Sequence, residues 1–169
     1  MNEFSRMFDA RHLPDGPQKL TASAAECAAL AKRFDLVSIS RLEAELTLQA
    51  DGPAVRTAGY FSAEIVQSCA VSGEDLPARL RDAIALRFVP QGLEIALDVD
   101  LELDDAPCDE IEMEGSQFDL GEAVAQGLAL AIDPYAVGPN AAEARRKAGL
   151  LGEGDAGPFA ALAALKKGN

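Results

Sequence analysis

Three cysteines and one histidine are the residues whose types could support thiol or metal chemistry. Cys27, Cys69 and Cys108 lie far apart in the chain, and His12 is its one histidine. Zinc ribbons use close cysteine pairs, and a thiolate nucleophile needs a neighbouring base. The spacing fits neither arrangement. We therefore predict reduced thiols, no zinc and no other cofactor, with Cys69 a small buried residue on the apolar side of a strand.

Glycines and serines at first suggest other chemistry, but their spacing does not support it. Gly121 and Gly127 lie inside a helical period and not in a dinucleotide-binding or P-loop spacing, and no Lys-Ser or Lys-Thr pair follows them to contact phosphate. Ser68 and Ser72 lack the glycines of a nucleophile elbow. We predict no catalytic residues and a protein that is not an enzyme.

Charged groups are unevenly placed along the chain. The formal net charge is −13, and residues 88–144 contain no Lys or Arg but fourteen of the 28 acidic residues. Such a region of one sign attracts cationic partners and raises the rate at which they associate. The acidity of this protein is therefore a regional property.

Within that region, LEIALDVDLELDD alternates apolar and acidic residues. Period two predicts a strand with one acidic face, which carries Asp98, Asp100, Glu102 and Asp104. A specific calcium site is not expected, because a strand spreads these carboxylates about 6.5 Å apart and no calcium-binding loop motif is present. Two interpretations stay open: a solvated face that opposes edge-to-edge aggregation, and a docking surface for a basic partner.

Basic residues cluster in the C-terminal tail. The residues concerned are Arg145, Arg146, Lys147, Lys166 and Lys167. They could contact RNA phosphates locally, against the repulsion of nucleic acid by the overall negative charge. RNA contact through these residues is the alternative to docking on the acidic face.

Hydrophobic periodicity predicts an α+β fold, with a mostly antiparallel twisted sheet packed against two main helices. Alternation predicts strands near residues 41–50, 55–71, 79–89 and 93–103, with shorter strands in FSRMFDARHL, QKLTA and DEIEME. Helices are predicted near residues 23–34 and 119–132, where Ser23 with Glu26 and Asp119 with Glu122 have the spacing of helix caps.

The predicted elements suggest one domain with a tail. Residues 1–140 are expected to form a single α+β domain, and residues 141–169 a basic, partly helical C-terminal tail. No apolar run has the length of a membrane helix or a signal peptide. We therefore predict a cytoplasmic protein that makes no membrane contact.

Four stretches occur in a fixed order: VQSCAVSGEDLPARLRDAIALRFVP, an acidic segment, FDLGEAVAQGLALAIDPY and PFAALAALKK. As a set, which covers most of residues 20–167, they resemble the YceD family, the large ribosomal RNA subunit accumulation proteins of bacteria and plastids. The resemblance implies a small cytosolic, non-enzymatic protein needed for normal levels or processing of large-subunit ribosomal RNA. Some members carry a close cysteine pair at the hairpin end; here Cys69 matches one position, and Ser72 stands at the other.

Charge and resemblance together predict an accessory of ribosome biogenesis. Its expected partner is a basic ribosomal protein or a pre-ribosomal particle, held on the acidic region, and its association with ribosomal RNA is expected to be indirect. The alternative is a direct RNA-binding factor that acts through the basic C-terminal tail.

Overall fold

The computed structural model describes residues 2–92 and 109–149. In chain order its elements are β1 (Met7–Asp9), β2 (Gln18–Thr21), α1 (Ala24–Arg33), β3 (Ser38–Asp51), β4 (Ala54–Ser68), β5 (Asp75–Pro90), β6 (Asp109–Met113), β7 (Gln117–Asp119), α2 (Leu120–Ala131) and α3 (Ala141–Lys147). The larger sheet has the order β2-β3-β4-β5-β6, and β1 and β7 form a second sheet. The predicted α+β class is confirmed.

These residues belong to two compact units, which are described separately. The first comprises residues 2–66, 77–92 and 109–132, and the second comprises residues 67–76 and 133–149. The strand predicted near residues 93–103 lies outside the described residues.

The hairpin of β3 and β4 is the centre of the larger sheet. It is antiparallel from the Ala50–Val55 pair to the Ser38–Val66 pair, with one register shift between Ile39 and Arg41. β2 extends it as a further antiparallel strand on β3. In the sheet, β5 lies beside β4, and β6 lies beside β5 and pairs with it in parallel. The sheet is therefore mixed, although the long strands follow the predicted alternation.

The core of the first unit lies under one face of this sheet. Alternate residues of β3 and β4 are buried, among them Leu42, Leu46, Phe61 and Ile65. Both predicted helices supply the facing apolar side chains, since Leu30 of α1 and, from α2, Leu120, Val124 and Leu128 are fully buried. The strand period of two and the helix period of four thus bury their apolar faces in a single core.

Both predicted helix caps are present. Glu26 donates its N–H to Ser23 Oγ at 3.3 Å while its carboxylate accepts the Ser23 N–H at 2.7 Å, which completes a capping box on α1. On α2, Glu122 N–H donates to Asp119 Oδ1 at 3.1 Å. These bonds satisfy backbone donors that a helix start leaves without an intrahelical partner.

The N-terminal segment crosses the start of α2. Arg6 N–H donates to Asp119 Oδ1 at 2.7 Å, and Leu120 N–H donates to the Arg6 carbonyl at 2.9 Å. A Cβ atom on Gly121 would lie 2.5 Å from the Phe4 carbonyl oxygen and 2.9 Å from Arg6 N. The close approach of the two backbone segments therefore requires glycine at position 121.

Leu128 and Leu130 lie two residues apart on α2 and provide a matched pair. Leu128 is fully buried, whereas Leu130 is 85% exposed. We expect Leu128→Ala to lower the free energy of unfolding by about 2–5 kcal/mol through lost contacts and a cavity, and Leu130→Ala to change it by less than about 0.5 kcal/mol. Urea unfolding followed by circular dichroism measures both; equal losses would contradict this packing of α2.

The two glycines of α2 provide a second pair. Gly121→Ala places its methyl group against immovable backbone and should cost about 1–3 kcal/mol. On Gly127 a Cβ would lie 3.6 Å from Ile84 and Phe61 side-chain atoms, which is ordinary contact, so Gly127→Ala should leave stability unchanged or raise it by up to about 1 kcal/mol. Denaturant unfolding midpoints measure the stability of both variants. A Gly121→Ala variant as stable as the parent would contradict the close backbone approach.

Candidate functional site

A groove in the first unit combines an apolar floor with carboxylates. We call it the acidic groove; it has a volume of about 230 Å³, and its lining includes Met7, Ile111, Glu112, Glu114, Phe118 and Glu122. Its walls come from β6, β7, β1 and α2. Its residues are thus drawn from elements distant in sequence.

Strand alternation positions the side chains of β6 along this groove. Ile111 lies opposite Phe88 of β5, and Met113 is fully buried, whereas Glu110 and Glu112 are exposed. Successive side chains of a strand point to opposite faces, so β6 presents apolar residues inward and acids outward.

A tight turn joins β6 to β7 and places Phe118 in the groove. Glu114 and Gln117 exchange N–H···O bonds of 3.1 Å, and Gly115 between them has φ +66°, which favours glycine. The Phe118 ring then lies 4.4 Å from the Phe88 ring and 5.9 Å from the Phe8 ring, measured between centroids. These aromatic contacts anchor the floor of the groove.

The acids around the groove differ in their partners. Arg33 donates two hydrogen bonds, of 2.8 and 2.9 Å, to Glu122, and its guanidinium holds the pKa of that carboxyl below its ordinary value. Glu110 pairs with Arg87 at 3.1 Å. Glu112 and Glu114, by contrast, form no ion pair with any described residue, and both are exposed. We call these two carboxylates the rim of the groove. They can bind a partner's cation without first breaking an ion pair with a described residue.

The acidic residues singled out from the sequence belong to a different stretch of the chain from Glu112 and Glu114. Asp98, Asp100, Glu102 and Asp104 lie outside the described residues. Glu112 and Glu114 were missed as site residues, although the alternation in DEIEME, inside a region without Lys or Arg, was the signal that could have identified them.

The basic cluster predicted to contact RNA lies in part on α3, in the second unit. Arg145, Arg146 and Lys147 are exposed in its last turn, and Lys147 Nζ lies 2.7 Å from Glu143 Oε1. Cations at a helix C-terminus interact favourably with the helix dipole, so helix stability alone accounts for this placement. Lys166 and Lys167 lie outside the described part of the chain.

Cys69 lies in a turn of the second unit. It is 4% exposed, as predicted for a buried residue, but its Sγ also accepts N–H groups from Val71 at 3.5 Å, Ser72 at 3.3 Å and Gly138 at 3.3 Å. Hydrogen bonding at this turn, by Ser72 above all and then by the Gly138 N–H, lowers the pKa of Cys69 to about 6. The turn therefore stabilises a thiolate, which the apolar strand pattern did not indicate.

A carboxylate holds the same turn to the segment before α3. Glu74 accepts hydrogen bonds from Ser72 Oγ at 2.9 Å, Asn140 N at 3.1 Å and Asn140 Nδ2 at 2.6 Å. The groups in contact with Cys69 Sγ are N–H donors and a hydroxyl; none of them is a base that could activate a nucleophile. Within residues 2–92 and 109–149, no cluster of three His, Cys, Asp or Glu side chains could hold a metal ion.

The lowered pKa of Cys69 predicts a pH-dependent contribution to stability. A group whose folded pKa is about 6 against an ordinary 9.0 adds stability as pH rises from 6 towards 9, and this contribution is lost as pH falls through 6. The difference in unfolding midpoint between the parent and Cys69→Ala should therefore grow across that window. Denaturant unfolding at several pH values measures it.

Cys27 provides the control for this measurement. Burial raises the pKa of Cys27, so the difference between the parent and Cys27→Ala should not grow between pH 6 and 8.5. A constant difference for Cys69→Ala over the same range would show that its thiol is not ionised in the folded protein.

None of the described helices is both long and apolar enough to cross a membrane. Comparisons with protein-family models, with curated proteins and with solved structures gave no match.

Proposed function

We propose that this protein is a non-enzymatic accessory of ribosome biogenesis, which supports the accumulation or processing of large-subunit ribosomal RNA. It acts by holding a basic ribosomal protein, or a protein–RNA intermediate, on its acidic region. The ribosomal pathway is taken from the resemblance of the ordered motifs to the YceD family. The docking role is supported by one structural observation: Glu112 and Glu114 are exposed beside an apolar groove and form no ion pair with any described residue.

The difference between paired and unpaired acids supports docking on energetic grounds. Glu26 already binds Arg6 at 2.7 Å, and Glu43 binds Arg41 at 2.6 Å, so a partner's cation would have to compete with these arginines. Glu112 and Glu114 have no such competitor among the described residues. Attraction to exposed unpaired carboxylates extends over roughly 8–10 Å at physiological salt and steers a basic partner to this side of the first unit.

The alternative function, direct RNA binding, has its own supporting observation. Arg145 and Arg146 are exposed in the last turn of α3 and carry no ion pair with a described residue. With Lys147, Lys166 and Lys167 they would contact phosphates, and binding would then depend steeply on salt.

Capture from a cell lysate, with and without nuclease, distinguishes the two functions. We expect the tagged protein to retain a basic ribosomal protein after nuclease treatment, because carboxylates bind the protein directly. Retention should fall as salt rises. The outcome that would contradict docking is loss of every large-subunit component on nuclease treatment.

Two variants test the site within the same experiment. Changing Asp98, Asp100, Glu102 and Asp104 to the corresponding amides should weaken capture and flatten its salt dependence. Changing Arg145, Arg146 and Lys147 to Gln should leave it intact. Melting temperatures measured in parallel separate loss of binding from unfolding, and the reverse pattern would favour the RNA-binding function.

A further inference from the structure

Within the part of the chain that the structure describes, β6 has a strand partner along one side only. β6 pairs in parallel with β5 along one side, from Leu86–Asp109 to Pro90–Met113. Along its other side no described strand pairs with it, apart from the single bridge between Glu114 and Gln117 just beyond its end. The unpaired N–H and C=O groups of such an edge form a template for an added strand.

The floor of the acidic groove beside this strand offers apolar contact. Met7 is 56% exposed although it lines the groove, and Ile111, Phe118 and Ala123 complete the apolar part of the lining. A half-exposed methionine beside aromatic and aliphatic side chains is a surface that gains free energy when a partner's apolar side chain covers it.

The period of β6 determines which side chains a partner strand would need. Neighbouring strands carry side chains in the same alternation, so a strand added to β6 would place one residue beside Ile111 and the next beside Glu112. None of the described residues that line the groove is Lys or Arg, and Glu112 and Glu114 have no described ion-pair partner, so the complementary residue is a cation.

We infer that the acidic groove binds an extended segment of a basic protein, added as a strand along β6, in which apolar residues alternate with Lys or Arg. This inference rests on the proposed function, because it names the chemistry of the partner segment that the acidic region holds. RNA is disfavoured as the occupant, because the groove presents carboxylates to any phosphate.

A fluorescein-labelled peptide, Lys-Val-Lys-Val-Lys-Val-Lys, serves as the probe, and its anisotropy is measured during titration with the full chain. The comparison peptide, Lys-Lys-Lys-Lys-Val-Val-Val, has the same charge and composition without alternation. We expect the alternating peptide to bind at least about fivefold more tightly, since only it places cations and apolar residues in the register of β6.

Charge variants test whether the rim carries this binding. The double variant Glu112→Gln/Glu114→Gln should weaken the alternating peptide about fivefold to tenfold, through loss of two cross-strand ion pairs. The matched control, Asp15→Asn/Asp35→Asn, removes the same charge from exposed positions of the first unit that have no ion pair with a described residue. The control should bind within about twofold of the parent.

An apolar variant tests the floor. Met7→Ser leaves the charge unchanged, so it should weaken the peptide about threefold or more without altering the slope of affinity against salt. The melting temperature of Met7→Ser should equal that of the parent, so that weaker binding is not a result of unfolding. Met7→Leu should keep the affinity of the parent, because leucine supplies similar apolar area in the groove.

Four results would overturn the inference: equal affinity for the two peptides, equal loss in the two charge variants, displacement of the peptide by single-stranded RNA, or a self-association that Met7→Ser abolishes. The last result would assign the groove to a second copy of the chain. The proposed function is tested separately, by capture of a basic ribosomal protein after nuclease treatment. That capture can succeed through a surface other than this groove, so failure of the peptide experiment alone does not contradict the proposed function.

Discussion

The first unit depends on the contact between the N-terminal segment and the start of α2. Asp119 caps α2 through the Glu122 N–H and accepts the Arg6 N–H with the same oxygen, while Gly121 leaves room for the Phe4 carbonyl. This contact sets the position from which β1 pairs with β7, in the register Met7–Asp119. Because Met7 and Phe118 reach the acidic groove from these two short strands, the groove exists only where the backbone approach at Gly121 is possible.

Ion pairing gives the first unit two kinds of carboxylate. Arg6 binds Glu26, and Arg33 binds Glu122 and Glu3, so these acids join the N-terminal segment and the two helices. Such partly exposed pairs contribute modestly to stability but keep their carboxylates occupied. Glu112 and Glu114 lie in a region whose sequence contains no Lys or Arg, and neither forms an ion pair with a described residue. The uneven distribution of Lys and Arg, more than the number of acids, is the basis on which we propose the groove as a docking surface.

The turn at Cys69 has a physical basis of its own. Three backbone N–H groups surround Sγ, Gly73 N–H donates to the Cys69 carbonyl at 3.0 Å, and Gly73 has φ +72°. Ser72 donates its N–H to Sγ and its hydroxyl to Glu74. Ser72 thus stabilises the thiolate with its N–H and holds the Glu74 carboxylate with its hydroxyl. Glu74 in turn accepts two hydrogen bonds from Asn140. A thiol in place of this hydroxyl would be a weaker donor.

Elements with local signals can be predicted from the order of residues alone. The caps at Ser23 and Asp119 involve residues three apart, and the apolar periods of β3, β4 and α2 repeat every two or four residues, so both could be read from the chain. The order of residues also determines the acidity of residues 88–144. Three features depend instead on the folded chain: β6 pairs in parallel, Gly121 approaches the Phe4 carbonyl, and the Gly138 N–H donates to Cys69. The physical reason is that each of these contacts joins backbone groups far apart in sequence, whose pairing depends on the packing of the whole unit and leaves no periodic trace in the residues themselves.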